Sequence, residues 1–202
     1  MQEASTQDNL MAAVSGLYSD IVVEECRKVS VDNKVVVVSN FNSPQQSTIS
    51  GDKSAVEAVV KNLEAIGATS TVLKVSAPFH SPFMQSAAEK LKAELEKYKF
   101  GDMRKCQVVS NVTGKPYESS ASIIDNLTLQ MTKPVQWVNT LRFLESEGVL
   151  AYLEFGPKHV MKNLVKRTIT NVSTYSYDEE EDKKKLKEEF QPAQDKLCLL
   201  YT

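Results

Sequence analysis

Four short apolar, β-branched stretches between Met11 and Val75 are separated by two helix-length gaps, and this spacing restricts the fold more than any other feature of the chain. A strand is expected over Met11–Leu17, followed by a helix over Ser19–Val29 that carries Ile21, Val22 and Cys26. The run Val35–Val38 reads as a second strand, and Asn40-Phe-Asn-Ser-Pro44 as a turn into a third, Ser47–Ser50. Gly51-Asp52 opens a helix in which Val56, Val59, Val60, Leu63 and Ile66 recur at helical spacing, with Gly67 as the residue that ends it. Thr69–Val75 closes the unit. The order βαββαβ is that of a ferredoxin-like split βαβ domain, assigned here to residues 1–76.

Pro78 and Pro82 mark the joint to a different pattern, longer helices between single strands. Ser81 is placed to N-cap a helix with Pro82 in its first turn and Met84, Ala87, Leu91, Leu95 and Tyr98 as its apolar stripe. A strand at Gln107–Val112 is expected next, then helices near Ser122–Met131 and Trp137–Glu147. A strand Leu150–Phe155, a helix Val160–Arg167 and a strand Val172–Tyr177 complete residues 77–177. Single strands alternating with helices imply α/β layers and a mostly parallel sheet with few strands of its own. From Asp178 to the end, an acidic block followed by Lys183, Lys184 and Lys185 reads as a solvated terminal helix with Glu–Lys pairs at i,i+4.

The 202 residues carry 24 basic and 26 acidic side chains, so net charge offers no case for nucleic acid or a membrane surface as partner. No apolar run approaches the ~20 residues needed to span a bilayer. Three cysteines without CxxC spacing argue against a disulfide framework or a zinc site and fit a reducing cytoplasm.

Candidates for chemistry are few. Of two histidines, His80 lies at a strand-to-helix joint, where functional groups gather on α/β scaffolds and where a general base is most often a histidine. On spacing alone, a capped or packed structural histidine is the better reading of His80, and His159 reads as a surface residue. Gln136 stands between a proline turn and a helix, Asn40 and Asn42 flank Phe41, and Trp137 reads as core. Cys106 reads as a small apolar filler beside a buried strand. No metal-ligand spacing, carboxylate pair or phosphate-binding glycine loop is present.

Three blocks in order, Ser76-Ala-Pro-Phe-His-Ser-Pro82, Lys133-Pro-Val-Gln-Trp137 and Leu153-Glu-Phe-Gly-Pro157, together with Asn40-Phe-Asn-Ser-Pro-Gln-Gln46, resemble the malonyl-CoA:acyl carrier protein transacylase family over residues 1–173. Gln45 stands where that family usually has Gly, and Lys158 replaces the last Gly of its EVGPG element. The resemblance implies a ferredoxin-like small subdomain plus the C-terminal part of an α/β-hydrolase-like large subdomain. It also implies a two-step acyl transfer through a serine ester, with His80 as general base oriented by the carbonyl of Gln136, and substrate contacts at Phe79, Asn40 and Asn42. Phe79, just before the histidine, points to malonyl. Malonyl-CoA is implied as substrate, with no further cofactor, and an acyl carrier protein as acceptor. The family's nucleophile sits in a Gly-x-Ser-x-Gly elbow, a pattern that none of the seven glycines makes here. An N-terminal segment bearing that serine and a carboxylate-binding arginine is therefore expected as partner. The alternatives are a non-catalytic module that docks a carrier protein or synthase, and an acyl hydrolase of the same fold.

Overall fold

The computed structural model describes residues 8–31, 33–101 and 106–190, and by backbone alone 197–201. They form two compact units that divide at Thr140/Leu141. In the first, strands β1 (Asn9–Ser15), β2 (Val36–Ser43), β3 (Gln46–Asp52) and β4 (Thr69–Val72) build one antiparallel sheet in the order β2-β3-β1-β4, with helices α1 (Ser19–Val29) and α2 (Lys53–Glu64) between strands. This is the expected ferredoxin-like arrangement. Its core is Ala12, Val14, Val22, Cys26, Val36, Val38, Ile49, Ala55, Val56, Val59 and Leu63, the inward positions of strands and helices that the period-2 and period-3.6 patterns select. Ile66 departs from its stripe: it is exposed, because α2 stops at Glu64 and Gly67 takes a positive φ of 102°.

Asn40, Phe41 and Asn42, expected in a turn, belong to β2 instead. The strand continues to Ser43 by register shifts between Val38 and Asn40 and between Phe41 and Ser43, and only Pro44-Gln45 turn the chain. Asp52 caps no backbone group of α2, since its carboxylate accepts the Val35 N–H across the sheet (2.6 Å).

Beyond the sheet, a short 3-10 helix (Pro82–Met84) leads into α3 (Gln85–Leu95), and α4 (Ser120–Gln130) follows. Ser81 occupies the expected cap position, yet its buried hydroxyl donates backwards to Pro78 O (2.5 Å) and makes no helix cap. Tyr98, which the helical pattern puts in the apolar stripe, is exposed past the end of α3. No strand forms over Gln107–Val112. Asn111-Val-Thr-Gly-Lys115 bends the chain back at once, with Ser110 N–H on Lys115 O (2.8 Å) and Gly114 N–H on Ser110 O (2.9 Å), leaving a single bridge between Val109 and Pro116. Cys106 is consequently exposed rather than a core filler. α4 starts with a reciprocal cap between Ser119 and Ser122. Residues 133–136 then join the small sheet: Val135 N–H donates to Ser39 O (2.9 Å) and Phe41 N–H donates to Val135 O (2.9 Å). This link explains why residues 77–140 fall in the same unit as the sheet.

α5 (Trp137–Ser146) carries the chain into the second unit, where β5 (Ala151–Phe155) lies between β6 (Ser173–Ser176) and β7 (Leu197–Tyr201), all parallel. Helices α6 (Val160–Thr168) and α7 (Glu180–Glu189) complete it. Ala151, Leu153 and Tyr175 are its buried apolar centre, with Phe155, Leu186 and Phe190 packed on them. The fully buried Glu154 accepts the N–H groups of Met161 (3.1 Å) and Lys162 (2.9 Å), satisfying two donors that the first turn of α6 leaves free. α7 is not solvated all round, as the terminal helix expected from its charges would be. Asp182, buried on its inner face, accepts from Lys162 Nζ (2.5 Å) and Ser176 N–H (2.7 Å), and Glu179 pairs with Lys162 and with His159, which is half-buried rather than a free surface residue. No helix among the described residues is long and apolar enough to cross a membrane.

Candidate active site

His80 stands alone among the expected site residues in having its ring fixed by a strong hydrogen bond to another segment. Its backbone is left-handed (φ 56°), an uncommon conformation that non-glycine residues keep only where the surroundings impose it. Here the constraint is local: Phe79 N–H donates to Ala77 O, Ser81 Oγ to Pro78 O, and Met84 N–H to Ser81 O. The half-buried imidazole then places Nδ1 at 2.6 Å from the carbonyl oxygen of Gln130, fifty residues away. A carbonyl oxygen only accepts, so this bond puts the proton on Nδ1 and leaves Nε2 of the neutral ring with its lone pair free. That is the tautomer a general base needs.

The partner is not Gln136, for which the family resemblance implies the orienting role. Gln136 directly precedes α5, so its carbonyl accepts the helical bond from Thr140 N–H (2.9 Å), and its N–H donates to Asn111 O (2.7 Å). Its side chain accepts from Asn139 and lines a depression of about 260 Å³ with Ser19, Phe41, Pro44, Val138 and Asn139. Gln130 is available for a physical reason. It is the last residue of α4, and the donor four residues on would be Pro134, which has no N–H. Lys133 N–H is already used on Leu129 O (2.9 Å). A proline four residues after a helix-terminal residue is the sequence signal that marks Gln130, and it lies inside the block Lys133–Trp137.

Asn40 forms a parallel bridge with Val135, which ties the small sheet to that same block, and its Oδ1 accepts from Ser39 Oγ (2.8 Å). Asn42 donates through Nδ2 to Thr48 Oγ1 (3.1 Å), an interaction within the sheet. Phe79 is half-buried, one residue before the histidine. The geometry thus joins Asn40 to the Lys133–Trp137 block and His80 to Gln130, without bringing Gln136 or Asn42 to the imidazole. Trp137 is buried, as its reading as core requires. Among the described residues no group of three or more His, Cys, Asp or Glu is placed to hold a metal ion.

The family model described as Acyl transferase domain matches residues 1–194. The malonyl CoA-acyl carrier protein transacylase of Bacillus subtilis is 37% identical over 183 residues, 90% of this chain and 46% of the relative. That of Staphylococcus aureus (strain MSSA476) is 34% identical over 175 residues, 86% of this chain and 56% of the relative. Among solved structures, the Clostridium perfringens malonyl CoA-acyl carrier protein transacylase superposes with a TM-score of 0.87 at 34% identity, covering 94% of this chain and 60% of that one. A malonyl-transacylase in complex with its type II PKS acyl-carrier protein gives 0.84 at 34% identity, over 90% of this chain and 59% of that one. The chain therefore spans about half the length of the curated relatives it matches. It folds as the α/β acyltransferases do, and with a family match that runs over nearly its whole length it is a member of the acyl transferase domain family.

Proposed function

We propose that this chain is the histidine-bearing part of a malonyl-CoA:acyl carrier protein acyltransferase. His80 is the general base. A serine on an N-terminal segment, in the Gly-x-Ser-x-Gly elbow that the 202 residues do not contain, gives its proton to Nε2 as Oγ attacks the malonyl thioester carbonyl. The C–S bond of the tetrahedral intermediate breaks, coenzyme A leaves as its thiol with the proton returned by His80, and malonyl stays as a serine ester. The phosphopantetheine thiol of an acyl carrier protein then repeats the attack, passing its proton to Nε2, and leaves as the malonyl thioester while serine regains its hydrogen. An arginine of the same N-terminal segment pairs with the malonyl carboxylate. Phe79 lies against the acyl group, and Asn40 and Asn42 shape the substrate side through the edge of the small sheet. Gln136 acts as an anchor of the block that meets that sheet. No group beyond the malonyl thioester and the carrier thiol is needed, and a cytoplasmic location fits coenzyme A chemistry.

The observation that carries this reading is the 2.6 Å bond from His80 Nδ1 to Gln130 O, which presents Nε2 as a proton acceptor. The experiment is intact-mass measurement of every polypeptide after malonyl-CoA is added to this chain together with a serine-elbow segment. A malonyl adduct on that segment, slowed by a factor of about 10²–10⁴ in His80→Ala, is expected. Adduct formation that is indifferent to His80→Ala overturns the assignment of the base, and absence of any adduct leaves a carrier-docking role without chemistry.

A further inference from the structure

We infer that Asn111 is a positioning residue for His80, acting through the side chain of Gln130; the importance of the histidine rests on the acyltransfer reading above. Three hydrogen bonds in series make the link. His80 Nδ1–H donates to Gln130 O (2.6 Å), Asn111 Nδ2 donates to Gln130 Oε1 (3.2 Å), and Gln136 N–H donates to Asn111 O (2.7 Å). Gln130 needs such a hold. It ends α4, where a carbonyl with no helical donor is otherwise free to swing with the fraying last turn, and a hydrogen bond that selects one tautomer needs a fixed direction.

The residue that pins it is itself rigid. Asn111 follows the buried Ser110, whose backbone closes the tight turn to Lys115 and Gly114 and whose hydroxyl donates to Asn126 Oδ1 (2.8 Å). Asn126 and Gln130 are four residues apart and share one face of α4, so successive residues of one turn hold the helix at two successive points. The second of these points is the residue whose carbonyl accepts the hydrogen bond from His80 Nδ1–H. Through its carbonyl Asn111 also connects to Gln136 and so to Val135, which pairs with β2. The small sheet and the histidine are thereby joined through one asparagine.

The chemistry of the pair predicts which substitutions are tolerated. Gln130 presents an oxygen on one side of its amide and an NH2 on the other. An acceptor at position 111 is served by a half-turn of that amide, so Asn111→Asp keeps a bond, while Asn111→Ala has none to keep. Both variants leave the backbone carbonyl that receives Gln136.

The test is long-range proton–nitrogen NMR of the full chain with 15N-labelled histidine, which reads directly which ring nitrogen carries the proton, with His159→Asn separating the two histidines. The native ring is expected as the Nδ1–H form. In Asn111→Ala the ratio of Nδ1–H to Nε2–H should fall about five-fold, the factor that one net hydrogen bond supports. Gln130→Ala should give the same fall, the double variant no more than either single one, and Asn111→Asp a ratio within about two-fold of native. A native ratio in Gln130→Ala, or additive falls in the double variant, overturns the inference. Gln130→Ala and Asn111→Asp decide the matter even where Asn111→Ala does not fold. No nucleophile or thioester enters the measurement, so a failure to form acyl adducts leaves this result standing, and a failure here leaves the acyl-transfer test intact.

Discussion

Gly51→Ala should damage the small sheet far more than the loss of one glycine ordinarily does. A Cβ built at Gly51 would lie 2.0 Å from Val35 O, 2.7 Å from Val36 Cα and 2.9 Å from Val35 C, all backbone atoms of the adjoining strand segment. No side-chain rotamer relieves such contacts, so the backbone near Val35 has to retreat by roughly 1 Å to restore a tolerable separation. Two hydrogen bonds span this junction, Asp52 N–H to Val35 O at 2.8 Å and Val35 N–H to Asp52 Oδ2 at 2.6 Å, and neither survives that shift. Overpacking of about 1–3 kcal/mol together with two lost bonds of about 1 kcal/mol each gives a destabilisation of about 3–5 kcal/mol. That is a large part of the roughly 5–15 kcal/mol that holds a domain together. Gly67 is the control, since a methyl group added there would meet nothing within 4 Å and only its φ of 102° resists alanine. Strain alone should cost about 1–2 kcal/mol there. Urea unfolding followed by far-ultraviolet circular dichroism separates the two: with a slope near 2 kcal/mol per molar, the midpoint of Gly51→Ala should fall by about 1.5–2.5 M. A Gly51→Ala midpoint within about 0.5 M of native, or a loss in Gly67→Ala of equal size, would refute the reasoning.

Asp182 connects stability to pH. Burial opposes its charge, but the Lys162 ammonium and the Ser176 N–H outweigh it and hold the carboxyl below its ordinary value of 3.8. Its contribution is therefore fully present above about pH 4 and is lost as pH falls through the depressed native value, so urea midpoints taken from about pH 5 down to pH 2 should drop more steeply in native protein than in Asp182→Asn. Burial pushes the Cys26 thiol up to about 12, whereas Cys106 is exposed. In a Cys198→Ser background at about pH 8, a thiol reagent should therefore modify Cys106 in the folded protein and Cys26 only after urea is added, and prompt reaction of both would contradict the burial argument. Lys158 is left-handed (φ 71°), next to the left-handed His159 (φ 56°). Lys158→Gly should raise stability by about 0.5–1 kcal/mol, read as a higher urea midpoint.

The short-range pattern carried the order of elements in the small subdomain, though not the extent of β2 through residues 40–43 or the exposure of Ile66. β-Branched runs and a helical stripe name each element, and the alternating burial of Ala12, Val14, Val36, Val38 and Ile49 follows once one face of the sheet must leave water. The order of the strands then has few solutions, because short connections and right-handed crossovers exclude most others. His80 is named as a candidate by the blocks around it, since its place at a joint alone favours a structural histidine. The strand expected at Gln107–Val112 fails because apolar residues alone do not make a strand. The turn after Asn111 folds the chain back on itself, and among the described residues no neighbouring strand lies beside the segment.

What tertiary structure alone decided is which groups meet across long separations in the chain. Gln130 and Gln136 are six residues apart and both stand at helix ends; Pro134 marks which carbonyl is spare, but only the fold brings His80 to it. Gln136 O begins a helix and is used by Thr140, while Gln130 O ends one and is left free by Pro134. The same holds for the charged tail, where neighbour spacing pairs glutamates with lysines on one helix but the fold turns Asp182 inward to Lys162. Local periodicity is legible in a sequence because it arises from bonded geometry. The partner of a hydrogen-bonding group depends on which surfaces come together, and only the folded chain determines that.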